Sequence, residues 1–276
     1  MPEHRVFGLG CTAAIATNRH RKGTDRCHIA VQSENRTACI DLTFDKSLTR
    51  EEQEAKCRNA IINLMAEESG IKTGQEEKLS TMAHNATEDW QNLFMDRVAI
   101  TGTDSTGTDS DVTALLPGAF NPLHEGHLQM LTRAGELLQD QVTLEISIRN
   151  VDKPTLDYLT MQERLEQAAG LPLVFTNAPT FEAKARLFPG ATFIVGIDTL
   201  TRIQDERYYN SHAARDRALQ LLQERGNRFL VFGRKVNDVF QTLDDVELLP
   251  GLTALCTGVN ENEFRLDISS TELRNV

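Results

Sequence analysis

From Val112 to Phe232, short apolar runs alternate with segments of helical period, and this alternation narrows the possible folds more than any other feature of the chain. Val112 to Leu116, Val142 to Ile148, Leu173 to Thr176, Ala191 to Ile197 and Arg228 to Phe232 read as buried strands. Leu128 to Leu138, Met161 to Ala169, Phe181 to Phe188 and Ala213 to Arg225 carry apolar residues at helical spacing. Strands that alternate with helices form parallel, doubly wound α/β sheets, because a parallel strand is reached only through a crossover. Ligands of such sheets sit beyond the carboxyl ends of the strands. The loops after Leu116, Ile148, Ile197 and Phe232 are therefore where chemistry is expected.

The preceding residues follow a different pattern. Thr101 to Asp111, TGTDSTGTDSD, contains only small and polar residues, which bury too little surface to repay ordering, and it reads as a linker. The expected division is a smaller α/β domain over residues 1–98, a linker over 99–111 and the doubly wound domain over 112–276. In the first part, Arg26 to Ser33 and Thr37 to Phe44 have strand character. Thr49 is placed to cap a helix that carries Ala60, Ile61, Leu64 and Met65 on its apolar face.

The net charge of -11 opposes loose binding to nucleic acid, which depends on many cationic contacts with phosphates. The run Arg19, His20, Arg21 and Lys22 reads as a solvated loop. Five cysteines without a C-x-x-C pair suggest reduced thiols rather than a zinc site, and Cys11 reads as a small buried thiol. No apolar run approaches the ~20 residues of a membrane span, and the expected location is cytoplasmic.

The first loop of the doubly wound part is Pro117 to His127, PGAFNPLHEGH. Gly118 allows a close backbone approach, and Phe120 and Asn121 share the turn. His124 and His127, three residues apart at the start of a helix, can face one ligand beside backbone N–H groups that already favour an anion. Attack on an α-phosphate adds charge to its oxygens, so the histidines suit an electrostatic role. A metal pair is the rival reading, but no further ligands lie nearby in sequence. Near the C-terminus, DISSTELR offers Ser269, Ser270 and Thr271 with Arg274 one turn later: as single residues, helix caps; as a group, a second anion site.

Together, G-x-F-x-P-x-H-x-G-H after a first strand and I-S-S-T-x-x-R near the C-terminus resemble the nucleotidyltransferase superfamily of the H-x-G-H type. The resemblance implies a Rossmann-like fold, with His124, His127 and Arg274 as catalytic groups on the nucleotide phosphates, Gly118, Phe120 and Asn121 in nucleotide binding, and Ser269, Ser270 and Thr271 holding the departing phosphates. It implies Mg2+ bound mainly through those phosphates, with no dedicated protein metal site. The I-S-S-T form is closer to adenylyltransferases than to cytidylyltransferases, which makes ATP the expected donor and CTP the alternative. FIVGID resembles the G-x-D strand end of nicotinamide mononucleotide adenylyltransferases, which assigns Gly196 and Asp198 to nucleotide binding; spacing alone also allows Asp198 to cap a helix from Thr199. Asn150 and Lys153, in IRNVDKP, resemble an acceptor- or phosphate-binding stretch. The aromatic residue usual after G-x-D is missing here, where TLTRI follows; Tyr208 or Tyr209 are the candidates to replace it.

Residues Val6 to Ala66 resemble the later part of the CinA C-terminal family, without that family's catalytic stretch. The expected function is transfer of AMP from ATP to a phosphorylated small molecule such as nicotinamide or nicotinic acid mononucleotide, with release of pyrophosphate. Cytidylyl transfer, a pantetheine phosphate adenylyltransferase-like activity, and a nucleotide sensor without turnover are the alternatives. A relative of class I aminoacyl-tRNA synthetases fits less well, since I-S-S-T stands where a K-M-S-K-S-like loop would. No nucleic acid or membrane partner is expected, and homo-oligomer formation is compatible with the sequence.

Overall fold

The computed structural model describes residues 6–19, 21–71, 80–102, 112–236 and 239–265. It divides into two bodies, one of Met1–Met95 with Asp157–Gln162, the other of Asp96–Leu156 with Glu163–Val276.

In the first body, β1 (Phe7–Ala14), β2 (Asp25–Ser33), β3 (Arg36–Phe44) and β4 (Thr81–Asn85) form an antiparallel sheet in that order, with α1 (Arg50–Glu68) and α2 (Glu88–Phe94). Strict alternation along β2 turns Cys27, Ile29 and Val31 inward, and α1 contributes Cys57, Ala60 and Leu64 to the same core. Thr49 caps α1 as the sequence suggests: its hydroxyl accepts from the Glu52 N–H at 3.2 Å, and the Glu52 carboxylate accepts from the Thr49 N–H at 2.7 Å. Cys11 departs from its expected burial; it is exposed on β1, with its sulfur 3.6 Å from that of Cys27. Asp157–Gln162 groups with this body because Tyr158 donates its hydroxyl to the Glu34 carbonyl at 2.6 Å and its N–H to the Thr37 hydroxyl at 3.0 Å. Contiguous boundaries at residues 98 and 111 do not capture that excursion.

The second body is built on a seven-stranded sheet. Its elements are β5 (Ile100–Gly102), β6 (Ala114–Pro117), α3 (Glu125–Leu138), β7 (Val142–Ser147), the end of α4 (Tyr158–Gln167, whose first residues group with the first body), β8 (Leu173–Thr176), α5 (Phe181–Leu187), β9 (Thr192–Gly196), α6 (Ile197–Gln204), α7 (His212–Glu224), β10 (Arg228–Phe232), the hairpin β11 (Arg234–Val236) and β12 (Val239–Gln241), α8 (Pro250–Thr253) and β13 (Cys256–Val259). The sheet order is β13-β10-β9-β6-β7-β8-β5, with every pairing parallel except the edge strand β5 against β8. Counted in chain order, the six parallel strands lie 3-2-1-4-5-6, the doubly wound arrangement of Rossmann-like folds.

Strand β5 corrects the expected linker, whose first residues pair with Val174 to Thr176; Ile100 packs on the core, and the small residues Thr101 and Gly102 extend the sheet edge. The rest of that stretch lies outside the described residues. Strands β7 and β8 are buried over nearly their whole length, as expected for parallel strands covered on both faces. Inside this core Glu145 of β7 meets Lys184 of α5. Its side chain is 1% exposed and that of Lys184 7%; the ammonium donates to both carboxylate oxygens, at 2.7 and 2.6 Å, and to the Ala178 carbonyl at 2.9 Å.

Candidate functional site

The chain leaves β6 toward β7 and β8 on one side of the sheet and later returns to build β9 and β10 on the other. The crevice between β6 and β9 is thus the topological switch point. A cavity of about 270 Å3 opens there, lined by the ends of β6, β9 and β10 and by the first turn of α3.

The geometry of the first loop follows from its residues. The Gly118 N–H donates to the Glu145 carbonyl at 2.9 Å, which ties the loop to β7. A Cβ at Gly118 would lie 2.7 Å from the ring of Phe120, so the glycine makes room for a packed side chain. Phe120 is itself 4% exposed, with φ of 41°, and its ring meets His127 edge-on at 4.9 Å. Its role in the structure is to support His127, and it does not line the cavity. Asn121 is exposed, outside the lining, and precedes Pro122 through a cis peptide.

His124 is the extended N-cap residue of α3, and its Nδ1 accepts the Gly126 N–H at 3.1 Å. The Nδ1 of His127 accepts the N–H of His124 at 3.3 Å. The two rings stack with centroids 3.8 Å apart. An Nδ1 that accepts a backbone N–H carries no proton, so the neutral ring holds its proton on Nε2. Burial first, then the charges of His124 and Arg234, lowers the pKa of His127 from its usual 6.5 to about 4. Burial and Arg234 lower His124 as well. At neutral pH the loop therefore offers two fixed Nε2–H donors at the positive end of a 14-residue helix.

On the opposite wall, β9 runs directly into α6. The N-cap is Gly196, with no side-chain cap bond, and Asp198 lies in the first turn; the alternative of Asp198 capping a helix from Thr199 is not what forms. Asp198 Oδ2 accepts from Arg234 Nη1 at 2.8 Å. A Cβ at Gly196 would come within 2.7 Å of Asp198 Oδ1, so the glycine of FIVGID leaves the carboxylate two residues on its present position.

Of the residues singled out in the sequence, Gly118, His124, His127, Gly196 and Asp198 line one cavity. Asn150 and Lys153 are exposed and outside this lining, and Asn150 uses its side-chain oxygen to accept the Asp152 N–H at 2.9 Å in a local turn. Tyr208 and Tyr209 do not line the cavity either; the Tyr209 hydroxyl donates to the Ile203 carbonyl at 2.6 Å. Ser269, Ser270, Thr271 and Arg274 lie outside the described residues. Sequence reasoning missed Arg234 and Phe264, both in the lining. Arg234 had a signal, since it stands two residues beyond the end of β10 in a loop the fold marks for chemistry. Phe264, edge-on to Phe232 at 4.8 Å, had none.

Strand order, switch-point cavity and paired imidazole donors define a Rossmann-like nucleotidyltransferase domain. Residues 115–276, more than half of the chain, match the family described as cytidylyltransferase-like, and the chain belongs to that family. A phosphopantetheine adenylyltransferase of Deinococcus radiodurans is 39% identical over 67 residues, covering 23% of this chain and 39% of that protein. One from Lactiplantibacillus plantarum is 34% identical over 73 residues, 25% of this chain and 42% of that protein. The chain thus spans about two fifths of the length of these curated relatives. Among the described residues, no helix is long and apolar enough to cross a membrane.

Proposed function

We propose that the second body transfers an adenylyl group from ATP to a phosphorylated small molecule and releases pyrophosphate. The observation that carries this reading is the His124–His127 stack, in which each Nδ1 is engaged by a backbone N–H and each Nε2–H remains to donate at the mouth of a switch-point cavity. An oxygen of the acceptor phosphate forms a bond to the α-phosphorus while the bond from that phosphorus to the bridging oxygen of the β-phosphate breaks, in line, and pyrophosphate departs with the electron pair. Charge develops on the α-phosphate oxygens, and donors already fixed in position stabilise it without reorganisation. No covalent enzyme intermediate is required.

The described lining contains one carboxylate, Asp198, and it is engaged by Arg234. A Mg2+ ion therefore fits this site through oxygens of the nucleotide phosphates, where it supplies charge neutralisation. The names of the two bacterial relatives favour phosphopantetheine as the acceptor. The FIVGID segment favours a nicotinamide or nicotinic acid mononucleotide.

The test is pyrophosphate release from Mg-ATP and from Mg-CTP with each acceptor in turn. The expected result is acceptor-dependent release from ATP that falls about 10²- to 10³-fold in His127→Ala, the loss typical of one removed transition-state donor. Release with CTP alone overturns the adenylyl assignment, and ATP binding without release under every acceptor makes the domain a sensor.

A further inference from the structure

We infer that Arg234 is the anion anchor of the switch-point cavity and that Asp198 is its resting counter-ion, which a phosphate group displaces. The inference deepens the nucleotidyltransferase reading and rests on it for the nature of the natural ligand.

The pair is half open. The side chains of Arg234 and Asp198 are 39% and 34% exposed, and an ion pair this accessible adds little to stability. A glycine nevertheless stands close before each partner. Gly196 leaves the space that Asp198 Oδ1 occupies, since a Cβ there would approach to 2.7 Å. Gly233, immediately before Arg234, faces the hairpin of β11 and β12 so closely that a Cβ would meet the Phe240 ring at 2.6 Å and the Gln241 carbonyl at 2.9 Å. One glycine ends β9 two residues before the acid and the other directly precedes the base, and both line the same cavity.

The chemistry of the pair matches what the cavity lacks. Neutral His124 and His127 bring donors but no net charge, and Arg234 is the cationic side chain of the described lining. A guanidinium presents a planar fork that accepts a carboxylate or a phosphate in the same way. In the resting site the carboxylate of Asp198 occupies part of that fork through Oδ2. A phosphate group brings more charge and more acceptor oxygens, and it takes the fork over. The released carboxylate remains in the first turn of α6, where the helix N-terminus favours a negative charge. With Asp198 as counter-ion the pair carries no net charge, and an arriving anion must compete with the carboxylate for the guanidinium.

This exchange predicts effects of opposite sign for the two partners. Inorganic pyrophosphate is the probe, and its binding to the full chain is measured by calorimetry at low ionic strength, with no turnover involved. Arg234→Gln should weaken binding about 10-fold or more, the loss expected of a charge-assisted hydrogen bond. Asp198→Asn, nearly identical in shape, should tighten it by about 2- to 5-fold, the strength of an exposed ion pair. If Arg234→Gln does not fold, Arg234→Lys carries the same comparison, with a smaller loss because the charge is kept and the fork is not. Weaker binding in Asp198→Asn overturns the inference, because it makes the carboxylate a direct ligand contact. Absence of pyrophosphate binding to the unaltered chain overturns it too. Opposite shifts in a chain that releases no pyrophosphate from ATP leave the anchor in place and remove the transferase reading, whereas turnover with parallel shifts does the reverse.

Discussion

Two acid–base pairs of the second body share their chemistry and differ in their surroundings. Glu145 and Lys184 lie inside the core, 1% and 7% exposed, and the Lys184 ammonium makes three contacts within the body. Asp198 and Arg234 lie at the carboxyl ends of the strands, about one third exposed, with a single contact of 2.8 Å between them. A buried pair cannot be separated without stranding a charge in a medium that solvates it badly, so it acts as a fixed part of the architecture. A pair at the cavity wall has water to replace either partner, so it can exchange. What separates a fixed ion pair from the exchangeable one inferred above is therefore its burial.

The largest effect that would break this comparison comes from the buried pair. Lys184→Met leaves Glu145 uncompensated and should cost about 3–5 kcal/mol in urea unfolding. A cost no greater than that of Asp198→Asn would erase the distinction. A smaller and more specific effect is expected at Gly196, whose φ of -79° any residue can adopt. Gly196→Ala introduces no backbone strain, only a displacement of the Asp198 carboxylate, and should cost at most about 1 kcal/mol, the worth of the exposed ion pair it disturbs. In an Asp198→Ala background the same change should cost almost nothing. A cost that persists in the double variant would show that the glycine serves something other than the carboxylate.

The fold was legible in the sequence where burial and periodicity agree. Strands β8 and β10 fall on the expected runs, Leu173 to Thr176 and Arg228 to Phe232, because parallel core strands are apolar almost throughout. The capping box at Thr49 could be read because it is a local bond between residues three apart. Edge elements could not. Strand β1 is rich in small residues and largely exposed, β4 is polar, and β5 hides in a stretch with the composition of a linker. Helix α6 was obscured because β9 enters it without a loop, so Ile197 reads equally as the end of a strand. Within the site, the histidines announced themselves by spacing and by a helix start. Arg234 did not, because its meaning comes from Asp198, a residue 36 positions away that only the sheet order brings to it. The hydroxyl-rich segment from Ser269 to Arg274 lies outside the described residues, so its part in phosphate binding stands as a proposal.

Under the proposed function, two neutral imidazoles at the start of α3 face the nucleotide phosphates. The most direct test is the ring nitrogen NMR spectrum of His124 and His127, recorded against pH and then with Mg-ATP. Both rings should be in the Nε2–H form at neutral pH, with His127 taking up a proton only near pH 4. Because folding lowers that pKa, the unfolded chain binds the proton more readily; the contribution of His127 to stability is complete above about pH 6.5 and is lost as pH falls toward 4. Addition of Mg-ATP should move both Nε2 signals and leave the Nδ1 signals on their backbone donors. Rings that titrate near 6.5, or Nε2 signals that stay in place while ATP binds, would rule out neutral imidazole donors on the phosphates.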